Sequence, residues 1–274
     1  MHRRAEVSTT HRVTASRVRA YHDACGLDST DDCVSPFFLA AALLPLAMKL
    51  ARSAVPRSRH ATGLHAGHRV TVDRPLFADV ELESTMSTTR RSTSAGELVT
   101  VDVTSTTDDG DVAVRQGAAF LFGGPRGPSR SRSPDGEPPR WAAVRTRFPP
   151  GSACAYAEAS GDRQPLHLDE GAAVAAGFPR CIAHGLCTLA FVVADVARLA
   201  GADPRTVTAT GARFAGPAYW DDTLLTAVEE PGATGTGQGF STWSADGPLV
   251  LTHGYMDLAQ WAHANGPQGK QEDA

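Results

Sequence analysis

Two ionisable side chains in the second half of the chain have the types and spacing that acid–base chemistry requires. Asp162 and His167 stand five residues apart, and Pro165 stiffens the turn between them. A carboxylate and an imidazole that face one pocket can share a water molecule, one group taking a proton from it and the other supplying a proton to a bound substrate. The segment therefore predicts a site of general acid–base catalysis.

A lone Gly-Asp near a histidine is usually a turn, so the surrounding residues decide how this pair is interpreted. An aromatic residue precedes the pair, an amide side chain lies inside it, and a His-Gly follows at the start of an apolar stretch. The complete set is Tyr156, Gly161, Asp162, Gln164, Pro165, Leu166, His167, His184 and Gly185. In this order the set is far more specific than any of its members.

This set resembles the hydratase motif of MaoC-like proteins, the (R)-specific enoyl-thioester hydratases. Their pattern is an aromatic residue, Gly-Asp-x-Asn-Pro-hydrophobic-His, and then His-Gly at the start of the central helix of a hot-dog fold. The resemblance implies that Asp162 and His167 catalyse the addition of water to an enoyl thioester, with neither a metal nor a redox cofactor. It also implies that Gly185 forms an oxyanion hole at a helix N-terminus. Supporting or substrate-binding roles are implied for Tyr156, Gly161, Gln164, Pro165 and His184.

Two positions depart from the family pattern. Gln164 stands where the family usually has Asn, which keeps the amide but lengthens the side chain by one methylene group. Val193 falls where some members carry a serine in the active-site helix, so we expect that polar contact to be absent. The change at Gln164 concerns the rate or the substrate more than the class of reaction.

The elements that must position these residues occur twice along the chain. A Tyr-to-Gly step of five residues, an apolar helix and a Pro-to-Asp step of four residues recur in the same order. They fall at 21–26, 36–50 and 75–79 in the first copy and at 156–161, 185–199 and 217–221 in the second. Internal self-similarity outranks local propensity, so the chain is predicted to consist of two related halves.

Alternating apolar residues close each half with a pair of strands. In the first half Val99, Val101 and Val103 share one face, and a second strand follows the turn at 109–110. In the second half the corresponding turn falls at 246–247. The implied unit is an antiparallel sheet wrapped around one central helix. Each half is thus predicted to be α+β, and the whole chain a double hot-dog.

The clearest break in composition lies between the two copies, where Gly, Pro, Ser and Arg dominate. We predict a first hot-dog half over 1–123, a linker over 124–141, a second half over 142–262 and a flexible tail over 263–274. Leu27 and Asp32 stand in the first half where the motif has its Asp and His. That half is predicted to be catalytically inactive and, by analogy with the family, to widen the tunnel for a bulky acyl chain.

Composition excludes several classes of function. The 274 residues carry a formal net charge of -4, which gives no drive toward nucleic acid or an anionic membrane surface. The apolar run from Pro36 to Met48 is shorter than the roughly 20 residues of a membrane span and indicates a buried helix. No secretory signal is expected. The five cysteines are odd in number and form no C-x-x-C pair, so neither disulfides nor zinc are indicated and a cytoplasmic location is expected.

A group of histidines in the first half offers an alternative. His60, His65 and His68 have a spacing that could bind a metal ion. No cysteine or carboxylate cluster completes the set, so they are interpreted as surface or strand-edge histidines and no metal site is predicted.

A second alternative is a nucleophilic thiol. Cys181 and Cys187 flank the start of the second apolar helix, and His184 is the one nearby candidate for a base. This possibility carries little weight beside the acid–base motif. Tyr219 and Trp220 are interpreted as residues that pack at the start of a strand.

Three functions stay open at this stage. The leading hypothesis is a hydratase or dehydratase acting on acyl chains carried by coenzyme A or an acyl carrier protein. A hot-dog thioesterase would hydrolyse the same substrates, and a non-catalytic acyl-binding or partner subunit would only hold them. The sequence leaves open the physiological direction, the division of acid and base roles, and whether the chain is a monomer or a homodimer.

Overall fold

The computed structural model describes residues 6–123, 144–229, 237–245 and 247–258. Within these ranges the strands join into one ten-stranded sheet. The strands are β1 (Glu6–Val13), β2 (Leu64–Val72), β3 (Val80–Thr93), β4 (Gly96–Thr106), β5 (Val112–Phe122), β6 (Val144–Arg147), β7 (Val207–Phe214), β8 (Thr223–Val228), β9 (Gly237–Ser244) and β10 (Leu249–Leu258). The α-helices are α1 (Ala15–Ala24), α2 (Pro36–Ser53), α3 (Ser152–Ser160), α4 (Glu170–Ala175) and α5 (Gly185–Leu199).

The sheet is built from two halves that meet at its centre. Its order is β1-β3-β4-β5-β2-β7-β10-β9-β8-β6, so the first five strands and the last five each form a continuous block. The blocks are joined by β2 and β7, which run antiparallel and pair from Gly67↔Arg213 to Thr71↔Ala209. All the pairings between neighbouring strands are antiparallel.

The two long helices pack against this sheet and against each other. α2 contacts β2, β4 and β5, whereas α5 contacts β6 and β7, and the two helices touch. Apolar side chains on α5 such as Leu189, Val192 and Val193 are fully or almost fully buried because this helix lies inside the core. α5 has the predicted bounds, and α2 extends to Ser53 rather than ending near Leu50.

The predicted strands of the first half are confirmed. Val99, Val101 and Val103 are buried on one face of β4, as their alternation requires. Gly110 has a φ of 83° in the turn before β5, a conformation that favours glycine. Each half is therefore α+β, with an antiparallel block around one central helix.

Some predictions fall outside the described residues. The linker over 124–141, the tail over 263–274 and Asp246 of the second-half turn all lie there, so the domain boundaries stay predictions. In the described part of the chain, one helix is long and apolar enough to span a membrane, Pro36–Ser53. Its apolar window is 67% buried inside the protein, so it is a core helix here.

The prediction for two of the first-half histidines was wrong. His65 and His68 lie on β2, which is a central strand and not an edge. His68 is only 5% exposed, and His65 is partly buried between aromatic rings. The error has a physical cause. One edge of β2 pairs with β7 of the other half, and local sequence does not reveal that long-range pairing.

Candidate active site

The loop that carries Asp162 is set by the end of α3. Gly161 ends this helix with a φ of 76°, a left-handed conformation that L side chains rarely adopt, although a Cβ there would meet open space. The chain then turns inward, and the N–H of Asp162 donates to the hydroxyl of Ser160 at 3.2 Å. As a result Asp162 is 9% exposed.

A short 3-10 turn brings His167 back toward Asp162. Pro165 opens the turn, whose residues are Pro165–His167, and the Gln164 N–H donates to the carboxylate of Asp162 at 3.3 Å. The amide side chain of Gln164 has no hydrogen bond to any residue in the described ranges. Pro165 and the backbone of Gln164 thus shape the loop, and a supporting role for both residues stays a prediction.

His167 is buried and its tautomer is determined by its surroundings. The Nδ1 atom lies 2.9 Å from the carbonyl oxygen of Ile182, and a carbonyl can only accept, so Nδ1 carries the proton and Nε2 keeps its lone pair. The backbone carbonyl of His167 in turn accepts from the indole N–H of Trp220 at 3.2 Å. Burial lowers the pKa of His167, opposed by the charge of Asp162 and the bond to Ile182.

His184 lies against the same pair. It is the residue before the first turn of α5, and its Nε2 donates to the backbone carbonyl of Asp162 at 2.9 Å. Its ring stacks on that of His167, with centroids 3.8 Å apart and planes 27° from parallel. Burial and the neighbouring His167 lower the pKa of His184 to about 3, so its ring is neutral at physiological pH.

Gly185 places a helix N-terminus beside these side chains. It is the first residue of α5, and no described residue accepts a hydrogen bond from its N–H. A Cβ at this position would lie 2.9 Å from the ring of Phe214, so only glycine fits without moving that ring. The free N–H and the helix dipole together form a site for a developing negative charge.

Tyr156 packs against one side of the site. It is fully buried on α3, with its ring centroid 4.8 Å from that of His184 and 5.6 Å from that of Tyr21. Burial raises the pKa of Tyr156 well above its usual value, so the phenol stays neutral. The tyrosine thus packs against the histidine that holds Asp162.

One wall of the site comes from the first half of the chain. The ring of His65 stacks on Phe120 at 5.1 Å and meets Phe214 edge-on at 4.9 Å. Burial lowers the pKa of His65 well below its usual value, and the nearby His68 and His167 add to this effect. His65, Phe214 and Trp220 were not assigned to the site from the sequence, since only the packing of β2, β7 and the loop before β8 brings them to His167.

Two other interpretations of this site are a metal centre and a nucleophilic thiol. Asp162, His167 and His184 each offer a ligand atom, and these atoms lie within 4.8 Å of one another. However, Nδ1 of His167 is engaged by the Ile182 carbonyl and Nε2 of His184 by the Asp162 carbonyl, so each imidazole has one ring nitrogen left. The thiol reading loses its support, because burial raises the pKa of Cys187 well above its usual value.

The corresponding place in the first half is built differently. Leu27 follows Gly26 and is buried, and Pro36 begins α2 where Gly185 begins α5. Arg205 from the second half enters this region with a side chain only 8% exposed. Its guanidinium pairs with three carboxylates, those of Asp28, Asp31 and Asp203.

Comparison with known proteins identifies the family. The family model described as "MaoC like domain" matches residues 130–243, which contain the whole motif around Asp162 and His184. The second half of this chain is a MaoC-like domain.

One curated relative and two solved structures are similar to larger parts of this chain, the structures in fold alone. Enoyl-CoA hydratase ChsH3 of Mycobacterium tuberculosis is 38% identical over 179 residues, which span 62% of this chain and 61% of that protein. The crystal structure of HtdX from the same organism covers 94% of this chain and 100% of its own, with a TM-score of 0.74 at 24% identity. A conserved protein of that organism, described as a double hot-dog, covers 93% of this chain and 94% of its own with a TM-score of 0.57 at 13% identity. The predicted double hot-dog fold is confirmed.

Proposed function

We propose that this chain is a hydratase or dehydratase that interconverts trans-2-enoyl thioesters and (R)-3-hydroxyacyl thioesters. The observation that carries the proposal is a buried carboxylate–imidazole pair, Asp162 and His167, beside the free N–H of Gly185 at a helix N-terminus. The name of the relative ChsH3, an enoyl-CoA hydratase, supports the same reaction class.

The pair can perform both proton transfers of the reaction. The neutral His167 has its Nε2 lone pair available because Nδ1 is held by the Ile182 carbonyl. A water molecule between this nitrogen and the Asp162 carboxylate would lose a proton as its oxygen bonds to C3 of the substrate. The pair then supplies a proton to C2 on the same face. The two groups act through one water, so the acid and base roles belong to both.

The helix N-terminus stabilises the charge that appears between these two steps. When water adds to C3, electrons move onto the thioester oxygen to form an enolate. An N–H with no other partner can donate to that oxygen, and the glycine lets the ring of Phe214 pack closely against this helix start. Addition of water changes no net oxidation state, so we propose that no redox cofactor takes part.

The first half has a different proposed role. At the position that follows the left-handed glycine it has Leu27 in place of a carboxylate, and Pro36 has no N–H to donate. We propose that this half is catalytically inactive and contributes the wall with His65 and Phe120. The carrier would be coenzyme A or an acyl carrier protein, in a cytoplasmic enzyme that is a monomer or a homodimer.

The test is the loss of the enoyl-thioester absorbance with crotonyl-coenzyme A and with a longer enoyl-coenzyme A. Wild-type protein is expected to bleach the band, release no free thiol and yield the (R)-alcohol. The Asp162→Asn variant, which changes the charge at constant shape, is expected to be inactive. Release of free thiol would instead identify a thioesterase. Tight binding of the acyl thioester without turnover would identify a binding or partner subunit.

A further inference from the structure

We infer that His184 is a positioning residue whose ring, stacked on His167, holds that imidazole at the angle needed for proton transfer. The inference rests on the proposed function and names one more residue of the same site. His184 makes two contacts with the catalytic pair, a hydrogen bond to the carbonyl of Asp162 and a stack on the ring of His167. The question is which of them catalysis needs.

The hydrogen bond belongs to the scaffold, because the inactive half makes an equivalent one with other residues. There, Ser35 occupies the position before α2 that His184 occupies before α5. His22 bridges from it to the preceding loop, with Nε2 3.0 Å from the Ser35 hydroxyl and Nδ1 3.1 Å from the Asp28 carbonyl. In both halves a histidine thus ties the loop after the left-handed glycine to the start of the central helix.

The stack, by contrast, accompanies only the half that has the catalytic pair. His22 stacks on no aromatic ring among the described residues, whereas His184 covers one face of His167, with ring centroids 3.8 Å apart. The ring of His184 is itself held in place, with Tyr156 at 4.8 Å and Trp220 at 5.7 Å. A ring held by these two aromatic residues and by its hydrogen bond to the Asp162 carbonyl can hold His167 in turn, and catalytic geometry is sensitive to displacements near 1 Å.

The groups that face His167 are few and their effects can be separated. They are the Asp162 carboxylate, the neutral His184 ring, His65 from the first half and the carbonyl of Ile182. Burial is the main cause that lowers the pKa of His167. Removal of the stacked ring admits water to one face of the imidazole, so that pKa should rise toward 6.5.

Two substitutions separate the ring from the hydrogen bond. His184→Gln keeps an amide N–H within reach of the Asp162 carbonyl but removes the ring. His184→Phe keeps the ring but leaves that carbonyl without a donor. The matched control is His22→Gln, which alters the equivalent link in the half that lacks the Asp–His pair.

The experiment measures kcat and KM with crotonyl-coenzyme A, Tm, and the titration of the His167 ring by NMR in the free protein. For His184→Gln we expect kcat to fall about 10- to 100-fold, with KM within about threefold of wild type, an almost unchanged Tm and a raised His167 pKa. For His184→Phe we expect kcat within about threefold of wild type and an unchanged titration, but a Tm lower by a few degrees. The control should change Tm alone.

Opposite results overturn the inference. If His184→Gln keeps full kcat and an unchanged His167 titration, the hydrogen bond is sufficient and the stack has no role. If His184→Phe is folded but as slow as His184→Gln, the stacked ring does not by itself hold His167 in its catalytic position, and the inference also fails. If wild type hydrates no enoyl thioester, the proposed function fails, and the NMR titration still decides whether the stack controls His167. Should His184→Phe not fold, the glutamine variant decides alone.

Discussion

The two halves of this molecule share a backbone arrangement at the place where one of them has the proposed catalytic pair. α1 and α3 both end in a left-handed glycine, Gly26 with a φ of 63° and Gly161 with a φ of 76°. The next residue points inward in both, and it is a buried Leu27 in one half and Asp162 in the other. The difference teaches that the turn is a property of the fold, whereas the chemistry depends on the side chain that the turn presents.

The starts of the central helices differ in the same way. Gly185 leaves an N–H free for a ligand, whereas Pro36 has no N–H and its ring fills space at the equivalent position. In the first half Arg205, which the second half supplies, enters the neighbouring region and pairs with carboxylates there. The start of α5 thus has a free N–H beside an acid–base pair, whereas the start of α2 has a proline beside an ion cluster.

The largest effect is expected from removing the catalytic pair. Asp162→Asn and His167→Gln should each lower kcat/KM by about 10²- to 10⁴-fold, the range that positioned acid–base groups contribute. The matched change in the first half is Asp32→Asn, at the position that aligns with the motif histidine, and it should leave the rate unchanged. The measurement is hydration of crotonyl-coenzyme A, with circular dichroism to show folding. Equal losses in both halves would end the distinction between them.

A methyl group at the helix start should have the next largest effect. Gly185→Ala places a Cβ 2.9 Å from Phe214 and obstructs the approach to the free N–H. We expect kcat/KM to fall about 10²-fold, as when one oxyanion donor is lost. Pro36→Ala at the start of α2 is the control and should not change the rate. A Gly185→Ala enzyme with wild-type activity would show that the thioester oxygen binds elsewhere.

Removal of Arg205 from the ion cluster in the first half should lower stability and leave catalysis unchanged. Arg205→Met leaves Asp28, Asp31 and Asp203 close together without their cation. Because these carboxylates are partly exposed, we expect a loss of about 1–3 kcal/mol in the free energy of unfolding, less than for a fully buried pair. Thermal unfolding with kcat/KM measured in parallel tests this. Arg19→Met, which breaks an exposed pair with Asp32, should change Tm little.

The smallest expected effect is that of pH on kcat/KM. His167 must be neutral to accept a proton, and burial puts its pKa below 6.5. We therefore expect kcat/KM to stay level as the pH falls from 7.5 to 6.5, and to decline about tenfold per pH unit only below the lowered pKa. The profile should be recorded where the wild type is stable. An acid limb with its midpoint above 6.5 would contradict a base that is neutral because it is buried.

The free energy of unfolding should also decrease as the pH falls. A buried histidine whose pKa is lowered on folding binds its proton more readily in the unfolded chain, so its stabilising effect is complete above about pH 6.5 and decreases as the pH falls below it. His68, whose pKa is lowered to about 4 by burial, should contribute in this way from the first half. Both halves are thus expected to lose stability in mild acid.

The residues of the catalytic motif could be predicted because they act over short stretches of chain. The left-handed Gly161, the turn at Pro165 and the helix start at Gly185 each depend on neighbours a few residues away, and all lie as the spacing indicates. The alternation in β4 is similarly local. Roles in catalysis remain proposals for all of them.

The rest depends on contacts between distant parts of the chain. Trp220 donates to His167 across 53 residues, and no local pattern distinguishes such an indole from one that only packs. His65 reaches the site because β2 pairs with β7, so its position depends on a strand nearly 150 residues away. Gln164 keeps the amide of the family's Asn, and in the described ranges it is the backbone N–H of Gln164 that contacts the Asp162 carboxylate.

The pairing of β2 with β7 has a consequence for attempts to divide the protein. A second half produced alone would expose β7 along the residues from Ala209 to Arg213 that now pair with β2. An open strand in the middle of a sheet is a template for another chain, and the most abundant chain with a matching edge is a second copy of the same fragment. We therefore expect an isolated second half to self-associate through β7, with two identical units in place of the two unlike ones.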